Sequence, residues 1–389
     1  MLKILEFDDE AFFYFLLPPI VFASGFNMQR ANFFKNFKTV MLFGVLGTFV
    51  AFFSFSAMTI YVKNLGWMKQ YDGATGEWSE LHLTSPECML MCSLLCSSDV
   101  IAAVSLLSFE QTPDLYSIVF GEGITNDAVS IILFNTVMKY TAVNTEIVAS
   151  TPFKIMGDFT LLGLCSVSIG LLFAIFAALF LKQFRLFSKN RVHEMLCIFI
   201  FGYLAYVVSE VFEQSGIISL LTSAVFLAKY AWFNLSPQGK QSSFIVFEFL
   251  GFIAEAFVFG YLGLTFFTFY EMKWSPDLFF TEIIVIILGR ILGTLGLMSL
   301  AKMCGFVEKN INFKELVFIW YAGMIRGAIA FGLVLRIDNS FENRGVIVTT
   351  SLSLVIFTTV FYGSTVGILA KCLFKNDKKD EIAPEELYS

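Results

Sequence analysis

Phe120–Asn135 reads FGEGITNDAVSIILFN, apolar enough to cross a bilayer yet carrying Glu122, Asn126 and Asp127 within six residues. An ionised side chain at the centre of a membrane helix costs on the order of 2.5–3.5 kcal/mol, so such groups are usually paired or functional. At about 100° per residue, Asp127 stands roughly 140° round from Glu122, and the two acids cannot share a site simply by being neighbours. Glu122 and Asn126, at i and i+4, face one way. Asp127 shares its face with Gly123 and Ile131, where the glycine leaves room for a second helix or an ion. Two jobs follow: one acid neutralises a buried arginine, and the other lines an ion path.

Asp99, Glu255, Arg290 and Arg326 complete the charges at membrane depth, with Glu248 and Glu282 nearer the ends of their spans. On a purely structural reading the acids pair with the two arginines and hold a bundle together. Acids outnumber arginines, however, so at least one carboxylate lacks a fixed cation. Its natural partner is a mobile cation or a proton. Asp99 lies in CSSDVIAAVS, where Ser97, Ser98 and backbone carbonyls offer the hard oxygen ligands that an alkali cation takes. Cys88, Cys92 and Cys96 recur on one helix face. With His82 and His193 the only histidines, they read as small packing residues, and no resident metal site or disulfide framework is indicated.

The elements that must position these residues are membrane helices. Hydrophobic residues make up 57% of the 389 and charged residues 15%, and mean hydropathy is +0.74. A soluble domain carries roughly 25% charged residues. Apolar runs of about 18 or more residues recur, and each is a candidate span. A transmembrane barrel would instead show short alternating segments. The chain therefore reads as an all-α polytopic membrane protein. Eleven spans are expected, at 11–28, 37–62, 87–109, 115–138, 157–181, 193–212, 215–233, 243–270, 277–301, 315–335 and 345–372. The segment 63–86 reads as a solvated loop, and residues 375–389 as a short charged tail. A net charge of −6 with no basic cluster gives no sign of nucleic-acid binding.

Lys and Arg number 16 in one set of alternate loops and 8 in the other. The richer side is cytoplasmic, which puts the C-terminus inside and the N-terminus outside or lumenal. Pro18–Pro19 interrupts the first span by removing backbone donors. Gly323, Gly327 and Gly332 surround Arg326, and broken helices at that depth are tolerated only where they line a cavity or are packed in protein.

Taken in order, FFYFLLPPIVFASGF, SSDVIAAVSLLSFEQTPDLYSIVFGEGITNDAVSIILFN, EAFVFGYLGLTFF, ILGRILG, MIRGAIAFGLVLR and IFTTVFYGSTVG resemble segments of the sodium/proton exchanger family, the eukaryotic monovalent cation/proton antiporters. The likeness runs from about residue 11 to 372, closest to the endomembrane branch. It implies a fold of inverted repeats with two broken, crossing helices and a site near the midplane. Scaffold and dimerisation helices would occupy 1–35 and 183–274. An ion-translocating core would occupy 36–139 and 275–374, joined by a linker helix at 140–182, with the cytoplasmic tail at 375–389. The family has about thirteen spans, and eleven match its spans three to thirteen, so the resemblance points to a sequence shortened at its N-terminus.

Carried over residue by residue, the resemblance makes Asp127 the cation- and proton-binding carboxylate, with Asn126 its partner and Asp99 and Ser98 assisting at the crossing. Glu122 would pair with Arg290, Arg326 would stabilise the second unwound helix, and Glu255 would be an accessory acid. The family's Asp-Pro is Asp99–Val100 here, without the proline that helps break that helix. The implied function is Na⁺/H⁺ antiport without enzymatic chemistry or cofactor: electroneutral 1:1 exchange by alternating access in a multi-pass homodimer of an endomembrane. The alternatives are K⁺(Na⁺)/H⁺ exchange of low selectivity, or a degenerate exchanger that does not transport.

Overall fold

In lipid, every backbone N–H and C=O must find a partner within the protein, and long apolar runs answer that demand by coiling into helices. The computed structural model describes residues 9–73, 75–105, 107, 112–142, 151–184, 190–268, 273–305, 311–338 and 341–374. The charged tail 375–389 lies outside the described residues.

The helices are α1 (Phe12–Asn27), α2 (Arg30–Lys35), α3 (Phe37–Asn64), α4 (Ser85–Leu95), α5 (Ile101–Val104), α6 (Pro113–Ala142), α7 (Thr151–Gln183), α8 (Arg191–Val211), α9 (Gly216–Tyr230), α10 (Pro237–Thr268), α11 (Pro276–Met303), α12 (Phe313–Ala322), α13 (Ala328–Leu335) and α14 (Arg344–Phe374). Among the described residues, eight are long and apolar enough to cross a bilayer. The other three expected spans take different forms. The first is the shorter α1. The spans at 87–109 and 315–335 are each two short helices, α4 with α5 and α12 with α13, separated by non-helical backbone at 96–100 and 323–327.

Two three-part units of the same order emerge: α3, broken α4–α5 and α6, then α11, broken α12–α13 and α14. Gly47 meets Gly293, Phe55 meets Gly289, and Thr59 meets Glu282. As residue numbers rise along α3 they fall along α11, so the two lead helices are antiparallel and the second unit is inverted. Both lead helices widen into a π-helical stretch where they cross, Leu42–Gly47 and Leu292–Gly296; a Leu-Gly-Thr sequence ends the first and opens the second. The crossing is close: a Cβ on Gly293 would lie 3.0 Å from the Gly47 carbonyl oxygen.

Around these units, α9 packs on α7, α8 and α1, and α10 lies along α1. Pro18 and Pro19 do not break α1. A π-helical stretch at Phe12–Leu16 precedes them, and the carbonyls left without intrahelical donors are taken from α8. Tyr206 OH donates to the Phe13 carbonyl and Tyr203 OH to the Tyr14 carbonyl, each at 3.0 Å.

The segment 63–86 differs from the solvated loop expected. It holds a two-stranded antiparallel hairpin, β1 (Lys69–Tyr71) with β2 (Trp78–Glu80). Tyr71 exchanges both backbone hydrogen bonds with Trp274, and Ser275 Oγ donates to the Lys69 carbonyl at 2.6 Å. β2 stays exposed to solvent, and the backbone pairing of Tyr71 with Trp274 adds the support that a lone hairpin lacks. Gly293→Leu should overpack the α3–α11 crossing at a cost of about 1–3 kcal/mol. Thermal unfolding in detergent checks this, with Gly260→Ala, a helical position where a Cβ meets no neighbour, not lowering the midpoint.

Candidate functional site

The site is assembled where the two breaks cross. A broken helix frees carbonyls at the end of its first half and N–H groups at the start of its second. Here they are satisfied across the crossing. The Asp99 N–H donates to the Ile325 carbonyl at 2.8 Å, joining the two unwound segments directly. Arg326 Nη1 donates to the carbonyls of Ser97 (3.0 Å) and Gly323 (3.1 Å), one from each break. The guanidinium therefore sits at the C-terminal ends of α4 and α12, where helix dipoles concentrate negative charge. Its own backbone is clasped by α14, with Thr358 Oγ1 accepting from the Arg326 N–H and Thr359 Oγ1 donating to its carbonyl. Asp99 lies at the opposite pole, against Gly327, the N-cap of α13. A side chain at 327 would collide with the Asp99 carboxylate. The α4–α5 break thus forms without a proline. Val100, in the position where the family has one, packs on Gly123 of α6, where a Cβ would come within 2.9 Å of it.

On α6 the three polar residues go to different partners. Glu122 is 0% exposed and Arg290 1%, and Arg290 Nη2 donates to Glu122 Oε1 at 2.6 Å. The absence of a side chain at Gly323 admits the guanidinium, which any Cβ there would strike. Asn126 is fully buried. Its Nδ2 donates to Thr48 Oγ1 at 2.8 Å, and its Oδ1 accepts from the Ser98 N–H at 3.0 Å and the Ser98 hydroxyl at 3.3 Å. Asn126 therefore ties α3, α6 and the first break together.

Asp127 differs in both respects. It is only half-buried, and among the described residues it has no ion-pair partner. Its Oδ1 accepts a 2.6 Å hydrogen bond from the Ser97 hydroxyl. The carboxylate lines a cavity of about 40 Å³ with Val100, Gly123, Ile131 and Ile217. That is room for a few waters or a partly dehydrated ion.

The structure brings together Asp99, Ser98, Asn126, Asp127, Glu122, Arg290 and Arg326 around one crossing. Ser97 rather than Ser98 places its hydroxyl on Asp127. Glu255 stands half-buried on α10 and makes none of these hydrogen bonds. Glu282 stands near the start of its span, as expected. It is fully buried between α11, α3 and α4, accepting from Thr59 Oγ1 at 2.7 Å. Sequence reasoning did not single out Ser97 as the donor, nor Thr48, Thr358 and Thr359. The available signal was a hydroxyl in an otherwise apolar run, as in GTFVAFF and IFTTVFYG.

The family model for the transmembrane part of sodium/hydrogen exchangers matches residues 4–372. The chain is 32% identical over 393 residues to sodium/hydrogen exchanger 4 of Arabidopsis thaliana, covering 96% of this chain and 71% of that protein. It is 29% identical to sodium/hydrogen exchanger 3 of the same plant, covering 97% and 75%. It is 30% identical to sodium/hydrogen exchanger 8 of Homo sapiens, covering 96% and 62%. Among solved structures, the sodium proton antiporter MjNhaP1 from Methanocaldococcus jannaschii shares the fold, with a TM-score of 0.66 at 16% identity, over 96% of this chain and 86% of that one.

Removing either partner of a buried, hydrogen-bonded ion pair strands the other charge, at a cost of about 3–5 kcal/mol. Glu122→Ala and Arg290→Ala should each sharply reduce the folded yield. Exchanging the charges in Glu122→Arg with Arg290→Glu should recover part of it. Size-exclusion profiles of the detergent-extracted variants measure both effects.

Proposed function

The chain belongs to the sodium/hydrogen exchanger family, and from that premise we propose that it exchanges Na⁺ for H⁺ across a membrane, with Asp127 as the group that carries each in turn. One observation supports this above the others. Asp127 is a carboxylate beside two unwound helices, open to a small cavity, without a fixed cation among the described residues. A carboxylate in that position binds either a proton or a metal cation, and binding one displaces the other. Ser97 Oγ, the carbonyls of the break and a few cavity waters are the further oxygens available to Na⁺. Asn126 fixes the break without adding a second titrating charge beside Asp127, which favours electroneutral 1:1 exchange.

In this reading, residues 36–139 and 275–374 form a core that moves against a scaffold of 1–35 and 183–274, with 140–182 as the linker. A loaded Asp127, neutral with a proton or with Na⁺, permits the movement. A bare carboxylate resists it, because the apolar surroundings of Val100, Ile131 and Ile329 disfavour an uncompensated charge. Exposed Leu and Phe side chains on α8 and α10, such as Leu196, Leu204, Phe249 and Phe252, give the scaffold an apolar outer face for lipid and for a second copy. The C-terminus is cytoplasmic by the distribution of basic residues, and the membrane is an endomembrane by the wording of the motifs. K⁺ competes with Na⁺ for the same oxygens, and their relative rates follow from the cavity's size.

In vesicles reconstituted with the purified protein, Na⁺ addition should dissipate a preset pH gradient, and Asp127→Asn should reduce this to the rate of protein-free vesicles. Persistent exchange by that variant would remove Asp127 from the central role. Ser97→Ala removes one of the oxygens offered to Na⁺ and should weaken apparent Na⁺ affinity roughly tenfold, about 1.4 kcal/mol. Clamping the membrane potential with K⁺ and valinomycin should leave the exchange rate unchanged, and a voltage-dependent rate would overturn the 1:1 stoichiometry. The same assay with K⁺ or Li⁺ ranks the cations.

A further inference from the structure

The face of α6 that bears Asp127 continues through Ile131, Asn135 and Met138, at i+4, i+8 and i+11. Asp127 and Ile131 line the small cavity with Ile217 of α9. Asn135 and Met138 line a second cavity of about 550 Å³, together with Ser215, the N-cap of α9 two residues before Ile217. The two spaces are consecutive along the α6–α9 seam, with Ile131 and Ile217 as an apolar collar between them. The larger one lies toward the end of α6 that carries Lys139, away from the loops richest in basic residues.

The charges of this larger cavity come from both sides of the seam. Arg336 is the C-cap of α13, and Lys139 is on α6. Glu210 ends α8, and Glu213 lies in the turn into α9. Among the described residues, Arg336, Glu210 and Glu213 belong to no ion pair. Arg336 rests over the Phe13 ring, 4.9 Å from its centre, and Glu210 Oε1 accepts from the Gly216 N–H at 3.0 Å. Glu213 is exposed, and it is the one non-glycine residue of positive φ (57°) among those described. It stands just past a helix end, where glycine is the usual occupant, so an acid is kept at the rim in a backbone state that disfavours it.

We propose that Arg336 and Glu213 are the two halves of a charge latch across the outer mouth of the transport path. The latch is parted here. With the mouth open, Glu210 and Glu213 draw cations toward Asp127; when the core slides to close the mouth, Arg336 meets Glu213. Glu213 is the partner because Glu210 is occupied in capping α9. The proposal rests on the division into core and scaffold given above.

The test is chemical labelling, which does not depend on transport. With Cys304 and Cys372, the exposed cysteines among the described residues, replaced by serine, Asn135→Cys should react with an impermeant maleimide added on the side opposite the C-terminus, and Ile131→Cys much more slowly. Arg336→Glu or Glu213→Arg, each added to Asn135→Cys, should raise its labelling rate about threefold, because the closed state loses its latch. The two reversals together should return it to the parent value. Arg336→Gln and Glu213→Gln should show the same rise, and they serve where a reversal fails to reach the membrane. An unreactive Cys at 135, single variants that label at the parent rate, or a double reversal that restores nothing would overturn the latch. A parent that labels as described but exchanges no cations would count against the antiport reading alone.

Discussion

The structure depends on one constraint: two lengths of backbone are unwound at a depth where no water is available to bond them. Everything near the midplane answers to that. The Asp99 N–H is given to the Ile325 carbonyl, the Ser97 and Gly323 carbonyls are taken by Arg326, and the Ser98 N–H goes to Asn126. Each partner is itself fixed, Asn126 by Thr48 and Arg326 by Thr358 and Thr359. The polar residues of the core divide between those that maintain the crossing and the one that remains available.

That division also explains the electrostatics. Glu122 and Arg290 cancel each other in a contact of 2.6 Å, and Arg326 offsets two helix C-termini. Asp127 is left with only a hydroxyl and a cavity. Of the two acids on α6, one is thus compensated by an arginine and the other is not. The long side chains reach their places because Gly123, Gly323 and Gly327 let a valine, a guanidinium and a carboxylate approach the backbone.

Much of this could be read from the sequence, because apolar run length dictates helices in lipid and because a charge inside such a run demands a partner. Helical angle alone separated Glu122 from Asp127. What stayed hidden depended on distance in the chain. Glu122 lies 168 residues from Arg290, and no local rule joins them. Ser97 and Ser98 are adjacent and chemically alike, so only the course of the unwound backbone decides which hydroxyl turns to Asp127. Glu282 was legible as an acid near the start of α11, but its burial was not, because its donor Thr59 lies 223 residues away in the chain. Losing the proline beside Asp99 did not restore the helix, since the break is held by bonds from elsewhere.

The hairpin carries a mechanical consequence. It belongs to the connection between α3 and α4, in the first inverted unit, yet its Tyr71 is stitched to Trp274 and its Lys69 to Ser275 and Asp277, where the second unit begins. Nearby, Asn343 ahead of α14 is bound to Glu87 at the start of α4. Both seams lie at the same end of the bundle, so the units are sutured there as well as at their central crossing. Two points of attachment remove the freedom to pivot that one would leave. The two units are therefore braced against each other at that end of the bundle as well as at its centre.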